Sequence, residues 1–101
     1  MFIHTVYFWL QPTAGEDAHA QLLQDCRDYL SQVPTVRQLW CGAPAGTPRD
    51  VVDNSYHVGL TVVFDDAAGH DVYQDHALHQ DFIGRNREHW ARVQVYDYIA
   101  S

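Results

Sequence analysis

Residues Phe2 to Leu10 form a strand-length run in which neither face is polar. Phe2, His4, Val6, Phe8 and Leu10 point one way, and Ile3, Thr5, Tyr7 and Trp9 point the other. A strand apolar on both faces is covered on both sides, by helices on one and another sheet on the other. Next, Thr13-Ala14-Gly15-Glu16 predicts a capping box, with Thr13 as N-cap and Glu16 reaching back to its amide. Leu22, Leu23, Cys26, Tyr29, Leu30 and Val33 follow at helical spacing, so a helix is expected to about Gln32, where Pro34 stops it. Val36 to Gly42 reads as a short second strand. Residues 43–55 hold two prolines and a glycine, and read as the longest loop.

Tyr56 to Phe64 is the third predicted strand. Val58, Leu60, Val62 and Phe64 make one wholly apolar face, while His57, Gly59, Thr61 and Val63 look the other way. Asp65-Asp66 ends this strand and caps the next helix. That helix is expected from Ala67 to about Trp90, with Gly84 as its weak point, and Val93 to Ile99 makes a last strand. The order β-α-β-β-α-β predicts an α+β fold: a single ferredoxin-like domain over residues 1–101 with an antiparallel sheet.

Composition sharpens this picture. A chain of 101 residues buries roughly two-thirds of its unfolded surface. Its 47% hydrophobic and 13% aromatic content excludes disorder, and is enough apolar surface that a partner chain is expected to cover part of it. All six basic residues are arginine. Without lysine there is no Schiff base, no pyridoxal phosphate attachment and no P-loop. The net charge of −7 argues against nucleic acid or an anionic membrane as partner. Residues 1–10 are too short and too uncharged at their start for a signal peptide, and no stretch approaches a membrane span. A cytoplasmic protein is therefore expected. Cys26 and Cys41 lack CxxC or zinc-ribbon spacing, and read as reduced structural thiols.

The segment Tyr73-Gln74-Asp75-His76-Ala77-Leu78-His79 concentrates the candidate chemistry. Imidazole titrates near neutrality, so a histidine held in a pocket can both take and give a proton. A phenol nearby can orient a carbonyl or complete a proton relay. The bland alternative is that these side chains line a ligand pocket or pack a helix on the sheet. His76 and His79, three apart, could also join His70, Asp71 and Asp75 around a metal ion. His4 points into the helix-side core, where a lone histidine is often simply a satisfied group. Strict alternation puts His57 on the opposite face, unless a bulge at Gly59 shifts the register.

Taken together, the chain resembles the stress-responsive A/B barrel domain family of dimeric α+β barrels. The resemblance covers essentially the whole chain. It rests on the opening strand with His4, the helix closing at Val33-Pro34, and Tyr56 before a strand ending in Phe64-Asp65. Tyr73…His76…His79 and Trp90…Val95-Tyr96-Asp97-Tyr98 complete it. The resemblance implies a homodimer whose two four-stranded sheets pack face to face, with helices outside. The olivetolic-acid-cyclase-like members use a histidine and a tyrosine, between sheet and helices, for a cofactor-free aldol cyclisation. By position the tyrosine is Tyr73, the catalytic histidine His79 and the first-strand histidine His4. Ala77 stands where the family often has proline, Val58 where it has a third-strand histidine, and Cys26 where the cyclases have a helix-one tyrosine.

The resemblance thus points to a homodimer with an unknown small-molecule ligand and no cofactor, and to His79, Tyr73 and His4 as catalytic residues acting on a polyketide-like carbonyl compound. Two alternatives stand beside it. One is a non-catalytic, stress-associated or ligand-binding homodimer. The other is a cofactor-free monooxygenase, by analogy of fold.

Overall fold

The computed structural model describes residues 1–101 and places them in four strands and three helices. In chain order these are β1 (Phe2–Leu10), α1 (Gly15–Asp28), β2 (Gln38–Gly42), β3 (Val58–Phe64), α2 (Ala67–Asp75), α3 (Ala77–Asn86) and β4 (Trp90–Ile99). The strands form one antiparallel sheet in the order β2-β3-β1-β4. This is the ferredoxin-like arrangement expected from the strand and helix order.

The helices cover one face of the sheet. Val6, Phe8 and Leu10 of β1 meet Val58, Leu60, Val62 and Phe64 of β3 there, and Leu22 and Cys26 of α1 pack on them with Phe82 of α3. The opposite face carries Trp40, Tyr96 and Tyr98, whose side chains remain 57%, 59% and 58% exposed. Residues of β1 with no polar face are thus explained on one side only by the helices; the other side lies open in the single chain.

The helix boundaries differ from the sequence reading. The amide of Ala14 donates to the Gln11 carbonyl, closing a turn through Pro12 and Thr13. Thr13 is consumed inside that turn, so Ala14 is the N-cap and no side chain caps α1. The helix ends at Asp28 and continues as one tight turn over Leu30–Gln32. The second helical stretch breaks at His76 and not at Gly84. The His76 backbone is extended (φ −66°, ψ 143°), and its Nδ1 accepts the Leu78 amide as the N-cap of α3. Asp66 caps α2 as expected, accepting from the Gly69 amide. At the sheet edges, β2 starts at Gln38 and not at Val36, β3 at Val58 and not at Tyr56, and β4 at Trp90 and not at Val93. The Cys26 and Cys41 thiols are free, as the sequence implied.

Candidate active site

β1 places His4 on the helix-facing side of the sheet, and α2 and α3 bring Tyr73 and His79 over it. The break at His76 sets the angle between those two helices, and Tyr73 and His79 lie one on each side of it. Their rings stand 4.7 Å apart between centroids, and the His4 and Tyr73 rings 5.8 Å apart, edge to face. All three line a cavity of about 170 Å³ between the helices and the β1–β4 edge of the sheet. Val6, Phe8, Phe82, Ile83 and Trp90 form its apolar walls, and Gln74 adds one amide. Its mouth lies at β4, where Val93 and Val95 are about two-fifths exposed at 40% and 43%.

Each polar group has a distinct environment. His4 is buried, and its Nδ1–H donates to Asp97 Oδ1 of β4 at 2.6 Å. In the neutral ring this leaves the lone pair on Nε2. Burial nonetheless holds the His4 pKa below its ordinary 6.5, against the opposing pull of Asp97. Burial also lowers the pKa of His79, helped by the nearby His4 and opposed by a backbone contact with Gln74. His79 Nδ1 is buried and has no hydrogen-bond partner. An unpaired polar atom in a folded interior is uncommon; with Nδ1 closed off, Nε2 is the ring nitrogen left to face the cavity that His79 lines. The Tyr73 phenol is fully buried and pushed above its ordinary value, so it stays protonated and can donate near neutral pH.

His4 proves to be both a satisfied core group, through Asp97, and a wall of the cavity. Asp97, the hydrogen-bond partner of His4, is the site residue that pattern reading missed. Its signal was present: a carboxylate in register with Val93 and Val95, on the inward face of an apolar strand. His57 does not join the pocket. The β1–β3 register runs through Gly59 without a bulge, and the His57 ring accepts the Leu10 amide at 3.0 Å at the end of β1. The i, i+3 metal arrangement does not form either, since His76 is spent on capping α3 while His79 turns to the cavity.

The two buried histidines make stability depend on pH. Their folded-state values are depressed, so between those values and 6.5 the unfolded chain binds more protons than the native one. Stability is therefore undiminished above about pH 6.5 and falls as pH drops below it. Thermal unfolding at pH 7.5, 6 and 5 should show a declining Tm, and a flat Tm over that range would contradict this assignment.

Fold and cavity together define a ferredoxin-like α+β domain with a histidine–tyrosine pocket between sheet and helices. The chain belongs to the stress responsive A/B barrel domain family, whose model matches residues 2–100. No curated protein sequence matches it. Among solved structures it is similar to a ferredoxin-like family member from Mesorhizobium loti MAFF303099, with 25% identity over 99% of this chain and 96% of that one, at a TM-score of 0.80. A dimeric ferredoxin-like protein of unknown function from Thermobifida fusca YX shares 18% identity over 98% and 90%, at 0.84. The hydroxynitrile lyase of Passiflora edulis shares 13% over 99% and 93%, at 0.85.

Proposed function

We propose that this protein is a homodimeric lyase or cyclase that uses His79 as a base on a small, neutral, enolisable carbonyl compound, polyketide-like in character. The observation that carries this reading is the convergence of His79, Tyr73 and His4 on one largely apolar cavity. Neutral His79 removes a proton α to the carbonyl, and the Tyr73 hydroxyl donates to the carbonyl oxygen as negative charge builds there. His4, oriented by Asp97, offers its Nε2 to a second polar group of the substrate. The enolate carbon then adds to a second carbonyl carbon of the same molecule, whose C=O π bond opens, and the resulting alkoxide takes back the proton held by the His79 imidazolium. No arginine lines the cavity, so it offers no fixed counter-charge to a carboxylate or phosphate. That favours a neutral substrate. The likeness to a hydroxynitrile lyase supports proton chemistry on this scaffold.

The test is α-deuterium exchange from D2O into an alkyl aryl ketone such as acetophenone, followed by NMR. Saturable exchange above the buffer rate is expected. Its absence across a panel of neutral ketones would replace this reading with a non-catalytic ligand-binding dimer.

The homodimer uses the open sheet face in this reading. Exposed aromatic side chains on a flat face mark an interface, and Tyr96, Tyr98 and Trp40 supply it. The dimeric description of the Thermobifida protein agrees. Residues 1–101 act as one domain, and the free thiols fit the reducing cytoplasm. Sedimentation should give a dimer for the wild type and a folded monomer for Tyr96→Glu; a monomeric wild type would refute the assignment.

A further inference from the structure

We propose that His4, His70 and Asp97 form a binding site for a divalent transition-metal ion of the zinc class. A ring nitrogen from each histidine and a carboxylate oxygen of Asp97 all lie within 4.8 Å of one another. They come from three separate elements, β1, α2 and β4, so nothing local in the sequence brings them together. None of the helical histidine pairs suggested by spacing takes part except His70.

The donor set decides the class of ion. Two imidazoles and one carboxylate suit zinc, cobalt(II) or nickel(II), and serve poorly for magnesium or calcium, which take oxygen ligands. Three protein ligands with a position left for water is a common open zinc arrangement. The Asp97 side chain is 35% exposed, which gives the ion and its water a path from solvent.

The surroundings hold the donors in place. The His70 side chain is only 15% exposed. Its ring stacks on Phe2 at 4.4 Å, lies 4.9 Å from the His4 ring between centroids, and its Nε2 is 3.0 Å from the Gln74 amide. A metal-bound imidazole keeps a proton on its other nitrogen, so the Gln74 amide must turn its oxygen toward Nε2 to orient the ring for an ion on Nδ1. With ligand bonds of roughly 2.0–2.2 Å, donors around one ion stand about 3–3.5 Å apart. The His4–Asp97 pair, at 2.6 Å, must open by roughly 0.4–0.9 Å, and His70 must rotate inward. Metal and the His4–Asp97 hydrogen bond are thus alternative states of the same pair. The ion would tie α2 to both β1 and β4. The inference stands on this geometry and does not require His79 to be a base.

Titration of the metal-free protein with Co2+ tests it directly, followed by visible absorption, with the Tm measured with and without Zn2+. One Co2+ per chain with ligand-field bands, and a higher Tm with zinc, is the expected result. His70→Gln and Asp97→Asn should each weaken binding by about a hundredfold or more, since even outer-sphere changes reach that range. His76→Ala, whose ring caps α3, should leave binding intact. Asp97→Asn, at the sheet edge, keeps the test decisive if His70→Gln disturbs the stack on Phe2. No saturable binding, or binding that survives either Asp97→Asn or a folded His70→Gln variant, would overturn the proposal, as would its loss in a folded His76→Ala variant.

Discussion

Replacing His79 with glutamine should lower the rate of α-proton exchange by about 10²–10⁴-fold, the usual contribution of one positioned general base. Glutamine keeps a polar side chain at the cavity but cannot accept a proton near neutrality. The Tm at pH 7.5 should therefore change little, separating chemistry from folding. The pH profile gives a second readout. Only neutral His79 is a base, and its pKa lies below 6.5. The wild-type rate should be level above that pH and fall on an acid limb beneath it. The variant's residual rate should lack that limb. Tyr73→Phe removes a single donor and should cost about 10²–10³ in kcat, with the buried ring still in place. Full activity in His79→Gln on a substrate turned over by the wild type would assign the base elsewhere.

Asp25→Ala should destabilise the fold by about 2–3 kcal/mol, read as a lower Tm and denaturant midpoint. Asp25 is buried on α1 at 3% exposure, and its carboxylate accepts from Asn86 Nδ2 at 2.9 Å and Arg85 Nε at 2.8 Å. With the Gln21 side chain, which donates to the Arg85 carbonyl and Asn86 Oδ1, these contacts make the polar join between α1 and α3. The larger share belongs to the Asn86 side, because Asn86 is 1% exposed and no water can replace the lost acceptor. The Arg85 side chain is 47% exposed, so its ion pair adds little that solvent would not restore. Asn86 Nδ2 also donates to the Phe82 carbonyl, which limits the loss. Arg85→Ala should consequently be milder than Asp25→Ala. An equal or larger loss in Arg85→Ala would mean that the ion pair, and not the buried amide, holds the helices together.

Much of the fold was legible because burial follows period. The alternation of Val58, Leu60, Val62 and Phe64 set the inward face of β3, and the apolar run of β1 set a strand covered on the helix side. Asp66 as the cap of α2 was readable because the capping residue sits next to the amide it satisfies. Thr13 misled for the opposite reason. A capping signature is local, and a competing turn from Gln11 to Ala14 was equally local and prevailed. Gly84 misled too, since helix propensity is weak against a side chain that can end one helix and start another, as His76 does.

The candidate site divides along the same line. Tyr73 and His79 were visible because they are close in sequence and alike in chemistry. Asp97 and His70 gain their meaning only from β1, which lies between α2 above and β4 beside it. The sequence by itself determined the strand and helix order, the inward faces and the residue types available for proton transfer, because these depend on short-range periodicity and side-chain chemistry. Only the tertiary structure decided that His4 meets Asp97 93 positions away, that His76 caps while His79 lines a cavity, and that His70 joins His4. Such pairings follow from strand register and helix packing, to which residues far apart in the chain contribute jointly.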